Sequence, residues 1–333
     1  MTQADLASRT GRPLKTINEI VKGKTAITPE TALQFERVLG VPASFWMNLE
    51  RNYREALARQ REREQLSAQQ DWLKGFPLTA MAKLGWLQLF ADPVRQLQEL
   101  LGFFGVASPR EWEALWAAPD VAYRKSAAFA SDPRAVAAWL RRGELIARET
   151  LCRPYDAARF REALQTVRAL TRDPPNRFQP ELVRTCAEAG VGVAFVPELP
   201  GVRVSGATRW LTPSKALLQL SLRYKTDDHL WFSFFHEAGH ILRHGKTEVF
   251  VDDGQTEGKK EAEANEFANN TLVPPATLRR LRAAPPRSNE GIERTAEELG
   301  IAPGILVGRL QHEGLLPRTH CNGLKVRLVW GKA

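Results

Sequence analysis

Apolar residues recur every three to four positions through most of the first half of the chain, which predicts a structure built mainly of helices. Glycines and prolines divide this pattern, so that short helices are predicted from Gln3 to Arg9 and from Leu14 to Val21. A longer helix is predicted with Thr28 as its N-cap and Gly40 just past its end. We therefore expect this part of the chain to be helical.

Beyond residue 190 the pattern changes to an alternation of apolar and polar positions, which is typical of strands. The segments that predict strands or strand-like structure are Val191–Val196, Arg203–Leu211, Ala216–Leu222 and Leu324–Trp330. Another pair of helices is predicted from Arg294 to Leu316, and its apolar second helix favours packing inside the domain over DNA reading.

These changes of pattern predict three regions and an α+β fold class. An N-terminal helix-turn-helix domain covers residues 1–58, and a helical linker and middle region covers residues 59–175. A breaker of two prolines then precedes a C-terminal domain, residues 176–333, that combines helices with a small β-sheet.

Two short helices joined at a glycine, with apolar faces that pack together, predict a helix-turn-helix. The second helix would lie in a major groove of DNA. The residues predicted to face DNA are Arg12, Lys15, Thr16, Asn18, Glu19 and Lys22. The basic side chains would contact phosphates and Asn18 would read an adenine edge. The alternative from these features alone is a helical packing or dimerisation module.

The sequence WFSFFHEAGHILRHG places His236, Glu237 and His240 in an HExxH pattern. On a helix this spacing brings both imidazoles onto one face, where they can bind a single tetrahedral metal ion. Glu237 is placed to accept a proton from water activated by that metal. An apolar run precedes the motif, and Asp227 and Asp228 stand where an N-cap is expected. The alternative is a core helix with two incidental histidines.

A third metal ligand is predicted on a helix from Glu261 to the proline at position 274. Glu261 and Asn265 share a face of this helix, whereas Glu263 points roughly 200° away from Glu261. We therefore predict Glu261 as the ligand and Asn265 as a partner that orients a histidine. A solvated acidic patch is the alternative.

A longer zinc motif of the HExxHxxGxxH type is excluded, because Arg243 and Lys246 occupy its glycine and histidine positions. His244 follows His240 by one turn but drifts off the ligand face. We predict that His244 supports a ligand or the fold.

Composition narrows the classes of function. The chain has 333 residues and a formal net charge of +9, so several domains and an acidic partner such as nucleic acid are plausible. Its three cysteines are scattered, which predicts neither a disulfide framework nor a cysteine metal cluster. Without a signal-peptide pattern or an apolar run of about 18 residues, we expect a soluble, cytoplasmic protein with no membrane partner.

The C-terminal motifs resemble those of the ImmA/IrrE family of zinc metallo-endopeptidases, over roughly Leu182 to Pro275. The matching residues are His236, Glu237, His240, Glu261, Ala264, Asn265, Phe267, Ala268, Leu272, Val273 and Pro274. The resemblance implies a thermolysin-like fold, a Zn²⁺ cofactor and cleavage of a protein partner, often a repressor. In such peptidases the substrate lies along a strand edge, and we predict Ala216–Leu222 for that role, with a core strand as the alternative.

The N-terminal segments LASRTG, KTINEIVKGKTAITPETALQFERVLG and ASFWMNLERNY resemble the XRE-type domain of HigA-like antitoxins. The resemblance implies that Lys15 to Val21 form the recognition helix and that Phe45, Trp46 and Leu49 belong to a closing helix. Domains of this type carry a further helix before the position of Gln3, which this sequence starts too late to supply.

Three classes of function follow. The first is a DNA-binding transcriptional regulator fused to a zinc endopeptidase that cleaves a repressor, a toxin or another partner protein. The second is a HigA-like antitoxin or DNA-binding regulator whose metal site is sensory or structural, so that Glu237 is dispensable. The third is an antitoxin that only binds its toxin. The expected partners are operator DNA, a protein substrate and a second copy of the chain in a homodimer.

Overall fold

The computed structural model describes residues 1–116, 131–252 and 258–331. The chain forms two compact units, Met1–Trp72 with Asp92–Leu97 and Leu73–Ala91 with Gln98–Ala333. Helices dominate, and a small sheet lies in the second unit, which confirms the predicted α+β class. The predicted domain boundaries at residues 58 and 175 stay predictions.

The α-helices of the described residues are α1 (Gln3–Thr10), α2 (Leu14–Val21), α3 (Pro29–Leu39), α4 (Ala43–Ser67), α5 (Leu78–Lys83), α6 (Pro93–Phe104), α7 (Pro109–Trp116), α8 (Pro133–Glu149), α9 (Ala157–Leu170), α10 (Pro175–Glu188), α11 (Asp227–Arg243), α12 (Lys259–Leu272), α13 (Pro275–Ala283), α14 (Asn289–Leu299) and α15 (Pro303–His312). The strands are β1 (Val191–Phe195), β2 (Gly206–Thr212), β3 (Lys215–Leu220) and β4 (Phe250–Asp252). Across these described ranges, every helix is too short or too polar to cross a bilayer.

The helix boundaries in the first unit follow local signals. Helix α1 begins at a capping box, in which Thr2 and Asp5 each accept a hydrogen bond from the other's backbone N–H. Helix α3 begins after Thr28 and ends at Gly40, whose φ of 71° lies in the left-handed region that glycine adopts without strain. One buried cluster of this unit consists of Ala7, Ile17, Ile27, Ala32 and Phe35. Because α1 and α2 share this cluster, the helix-turn-helix arrangement is present.

The four-stranded sheet has the order β1-β3-β2-β4. Strand β3 pairs in parallel with β1 and antiparallel with β2, which in turn pairs antiparallel with β4. The prediction that Ala216–Leu222 offers an edge to a peptide substrate is wrong, because β3 forms hydrogen bonds on both sides. Strand β4 was not predicted, since three residues are too few to establish an alternating pattern.

The predicted strand from Leu324 to Trp330 is also wrong. This segment starts at the end of a 3-10 helix, Asn322–Leu324, and its β-pairing with the described residues is one isolated bridge between Thr226 and Arg327. The segment nevertheless contacts the start of α11, because the backbone N–H of Asp227 donates to the carbonyl oxygen of Val326 at 3.0 Å. This hydrogen bond links the segment to the N-terminus of α11.

Helix α11 lies at the centre of the main core, where Trp231, Phe234, Phe235 and Ala238 are buried. Helix α15 packs against its N-terminus. A Cβ atom at Gly304 would lie 2.6 Å from a carboxylate oxygen of Asp227, so the approach requires glycine. Helices α14 and α15 therefore serve packing, as predicted, with Gly304–Val307 buried.

Arg168 of α9 holds α12 in place. Its guanidinium donates to the carbonyl oxygens of Thr271 and Leu272 at 2.7 and 3.0 Å and to that of Leu299 at 2.8 Å. These carbonyls lie at the C-terminal ends of α12 and α14, where they have no partner within the helix. One side chain thus links both helix ends to α9.

Candidate metal centre

Helix α11 brings His236 and His240 together in the interior of the second unit. Each is 2% exposed, and their Nε2 atoms are 3.0 Å apart. Asp227 and Asp228 occupy the first turn of the helix, where acidic groups suit the helix dipole. The N-cap is Thr226, so the predicted placement at the N-cap is wrong by one residue for Asp227 and by two for Asp228.

Helix α12 supplies a carboxylate to the same point. Oε2 of Glu261 lies 3.1 Å from Nε2 of His236 and 3.5 Å from Nε2 of His240. Zinc at 2.0–2.2 Å from tetrahedral donors would separate those donors by about 3.3–3.6 Å, so small adjustments let the three atoms fit one ion. Gly239 permits this contact, because a Cβ there would lie 3.2 Å from Ala264 of α12. The glycine inside the motif was therefore an overlooked signal.

The outer nitrogens of both histidines have side-chain partners. Nδ1 of His236 lies 2.9 Å from Oδ1 of Asn265, and Nδ1 of His240 lies 2.9 Å from Nδ1 of His244. Glu263 does not reach the donor cluster, because its Oε2 lies 3.1 Å from Nε2 of His244. The structure thus places Glu261 and Glu263 on different histidines.

Phe250 of β4 is part of the site, although nothing in the local sequence indicated it. Its ring stacks on the imidazole of His240, with centroids 4.1 Å apart and planes inclined by 20°. Its centroid also lies 5.3 Å from that of His244. This packing restricts rotation of both rings.

Strand β2 holds the carboxyl group of Glu237, which is 0% exposed. Oγ1 of Thr208 donates to Oε2 of Glu237 at 2.6 Å, whereas Oε1 has no hydrogen-bond partner among the described residues. A Cβ atom at Gly206 would lie 2.7 Å from that Oε1, so only glycine leaves room for it. Gly206 and Thr208 are two residues apart and so share a face of the strand. This spacing is the signal in the sequence by which both could have been predicted to face Glu237.

Asp252, the last residue of β4, is a further acidic neighbour that the sequence analysis missed. It forms a second group with His236 and Glu237, in which the ligand atoms lie within 4.8 Å of one another. Burial raises the pKa of Glu237 to about 8, with a contribution from Asp252. The carboxyl group beside the donors is therefore far more basic than an ordinary glutamate.

The donor atoms themselves share a proton in the absence of another cation. Burial lowers the pKa of His236, but the hydrogen bond with Glu261 and the charge of Glu237 together raise it to about 9. Burial opposes the charge of Glu261, but its hydrogen bonds with His236 and His240 lower its pKa to about 2. A metal ion would replace this proton, because imidazole binds a metal in its neutral form.

The cluster faces a cavity of about 430 Å³. His236 and Glu261 line it together with the apolar side chains of Leu272, Val273 and Ile305. Tyr224 and His229, stacked with centroids 4.3 Å apart, also belong to its wall. A larger cavity of about 730 Å³ near Leu151 contains none of the donors, so the smaller one is the site of interest.

The predicted DNA-facing residues cluster on and beside α2 in the first unit. Lys15 and Lys22 are exposed, and the others are half-buried: Arg12, Thr16, Asn18 and Glu19. Arg12 already donates to Oε1 of Gln34 at 2.6 Å, and Oγ1 of Thr25 donates to Glu19 at 3.2 Å. Lys15 and Lys22 are thus the most accessible cations of the predicted set.

Comparison with known protein families gives a match for the N-terminal region and for the region that contains the donor cluster. Residues 1–46 match the helix-turn-helix family model, and residues 206–311 match the M78 peptidase model described as the IrrE N-terminal-like domain. The suspected resemblance is confirmed. No curated protein matches the chain. The first region is thus similar to DNA-binding domains, and the second to metallopeptidases of the ImmA/IrrE type.

Proposed function

We propose that the protein is a DNA-binding transcriptional regulator fused to a zinc-dependent endopeptidase that cleaves a repressor, a toxin or another partner protein. The observation that carries the proposal is the convergence of His236, His240 and Glu261 at 3.0–3.5 Å beside the buried carboxyl of Glu237. The two family matches support the same combination. Assembly as a homodimer stays a prediction.

Zinc is the metal that suits this donor set. Two imidazole nitrogens and one carboxylate oxygen, contributed by His236, His240 and Glu261, are the ligands of one class of catalytic zinc site. When bound, zinc supplies Lewis acidity that polarises a peptide carbonyl and makes water a nucleophile near neutral pH. The adjoining cavity leaves one side of the cluster open to a substrate.

Glu237 is the proposed general base and acid. The hydrogen bond from Thr208 occupies Oε2, so Oε1 is the oxygen that accepts a proton from water and passes it to the leaving nitrogen. Burial and Asp252 raise the pKa of Glu237 to about 8, which makes it a strong base for this exchange. Asn265 orients the ring of His236 during these steps.

The substrate is proposed to bind as an extended peptide at the free edge of β4. Within the described ranges β4 pairs only with β2, and its residues Phe250 and Asp252 adjoin the donors. A peptide on this edge would gain backbone hydrogen bonds. The apolar wall formed by Leu272, Val273 and Ile305 would suit an apolar side chain near the cleaved bond.

The experiment that tests this function compares wild type with Glu237→Gln in cells. Quantitative profiling of protein N-termini should reveal a few new termini in the wild type and none in the variant, with zinc bound by both. A reporter for repression should respond only where the cleaved partner is lost. Equal termini and equal repression in both strains would support the regulator with a sensory or structural metal site.

A further inference from the structure

A hydrogen-bonded series of three side chains, His240, His244 and Glu263, leads from the metal donors to the protein surface. Nδ1 of His240 lies 2.9 Å from Nδ1 of His244, whose Nε2 lies 3.1 Å from Oε2 of Glu263. The side chains of His240 and His244 are 1% and 3% exposed, whereas that of Glu263 is 36% exposed. The outer end of the series is thus a carboxylate in contact with solvent.

The two metal-facing histidines differ in the hydrogen-bond partner that fixes which ring nitrogen carries the proton. The partner of His236 is the amide oxygen of Asn265, which can only accept, so Nδ1 of His236 donates and its Nε2 is the nitrogen that faces Glu261 and would bind a metal. The partner of His240 is another imidazole, which donates or accepts according to its own tautomer. His240 and His244 alone therefore leave the direction of their hydrogen bond open.

Glu263 decides that direction. An ionised carboxylate only accepts, so Nε2 of His244 must carry the proton. A neutral imidazole has one N–H, so Nδ1 of His244 accepts from Nδ1 of His240. The remaining nitrogen of His240, Nε2, then carries the lone pair that points at His236 and Glu261.

We propose that Glu263 and His244 are positioning residues that set the tautomer of His240 and so prepare its Nε2 for the metal. This proposal rests on the metal centre proposed above. The packing of Phe250, stacked on His240 and tilted against His244, supports it, because it restricts the ring rotation that would exchange their nitrogens. Partners of this kind typically change metal affinity 10–100-fold.

Glu263→Lys tests the proposal, because an ammonium group only donates. Nε2 of His244 would then accept, its Nδ1 would donate, and the proton of His240 would move to Nε2. His244→Leu removes the acceptor for Nδ1 of His240 and should leave a mixture of both tautomers.

The tautomers are read from two-bond ¹H–¹⁵N correlations in the full chain, freed of metal and labelled at its six histidines. The signal of His240 is identified by its loss in a His240→Ala chain, and circular dichroism confirms that each variant is folded. We expect the Nδ1–H form in wild type and the Nε2–H form in Glu263→Lys. Zinc affinity, measured against a competing chelator, should fall about 10–100-fold in Glu263→Lys and His244→Leu.

Glu266→Lys is the matched control. Glu266 lies on the same helix, its Oε2 is 3.9 Å from Arg243, and the variant makes the same change of charge. A similar loss of zinc affinity in both lysine variants would assign the effect to charge and overturn the proposal. An unchanged His240 tautomer in Glu263→Lys or His244→Leu would overturn it as well. Because the tautomer is read without zinc or substrate, failure of the wild type to cleave any protein would refute the proposed function separately.

Discussion

Helices α1 and α11 both carry aspartate in the first turn, but the two carboxyl groups lie in opposite environments. Asp5 is exposed, and hydrogen bonds from the backbone and side chain of Thr2 lower its pKa. Burial raises the pKa of Asp227 to about 6, and Asp228 adds to the effect. The start of α1 is stabilised by Thr2 and Asp5, which are three positions apart. The start of α11 is held by tertiary packing, and that packing buries Asp227 and so disfavours its ionised form.

The same contrast separates the two sites. The predicted DNA-contacting residues lie within eleven consecutive positions, Arg12 to Lys22. The candidate metal centre takes residues from β2, α11, β4 and α12, from Gly206 to Asn265. A surface helix can present its contacts once it has formed, whereas the candidate metal centre assembles only after distant elements have packed.

Glu237→Gln should have the largest effect, and it should act on the candidate metal centre without changing the DNA-binding surface. Cleavage of the partner should fall by about 10²–10⁴-fold, because the general base is lost while the metal ligands remain. Zinc content, measured on purified protein, should stay at one ion per chain. DNA binding by the first unit should be unchanged. Undiminished cleavage in this variant would refute the role of Glu237.

The next effect concerns the choice between two glutamates on α12. Glu261→Ala should lose zinc, since it removes one of three donors, whereas Glu263→Ala should retain it, because water can accept the proton of His244. Metal analysis after dialysis would compare the two. If Glu263→Ala strips the metal and Glu261→Ala does not, the assignment of the helix face is wrong. A wild-type protein purified under mild conditions without zinc would refute the mechanism.

A smaller effect is expected at the DNA-binding surface. Lys15→Ala or Lys22→Ala should weaken binding to all sequences alike and reduce the salt dependence by about one charge. Asn18→Ala should instead relax sequence preference by about 1–3 kcal/mol. Binding titrations at several salt concentrations would separate the two, with Glu237→Gln as a control that binds normally. Equal losses of preference in all three variants would contradict these roles.

The smallest effect follows from the two aspartates. The folded pKa of Asp227 is raised to about 6, so its contribution to stability is present below its unfolded pKa, near 4, and is lost as the pH rises toward 6. Asp227→Asn should therefore raise the free energy of unfolding of the second unit by about 1–3 kcal/mol at pH 7, with little effect at pH 4.

Asp5 should show the opposite sign. Its folded pKa is lowered, so its contribution is present above its unfolded pKa and is lost as the pH falls through the folded value. Asp5→Asn should destabilise the first unit at pH 7 and have less effect in acid. Thermal unfolding of both variants across pH 3–8 would measure this. If Asp227→Asn and Asp5→Asn changed stability at pH 7 in the same direction, the predicted difference between the two aspartates would be wrong.

Local rules account for the parts of the structure that the sequence predicted well. The boundaries of α1, α2 and α3 follow from caps, periodicity and glycines in the left-handed region. Helical geometry alone also placed His236 beside His240 and turned Glu261, not Glu263, toward them. The roles assigned to these residues stay predictions.

The errors lie in the sheet, where pairing partners are distant in sequence. Nothing in an alternating pattern states which strand will be central, so β3 was placed at an edge although it lies between β1 and β2. The brief strand β4 and its residues Phe250 and Asp252 were missed for the same reason. Their positions depend on the antiparallel pairing of β4 with β2.

The sequence by itself determined that two imidazoles share one face of a helix, because HExxH spacing on a helix brings them there. Only the tertiary structure decided the environment of Glu237, the acidic residue between them. The room that Gly206 leaves for Glu237, the hydrogen bond from Thr208 and the charge of Asp252 all come from strands that reach the helix across the fold. Burial sets the pKa of Glu237, and burial depends on packing rather than on the order of neighbouring residues.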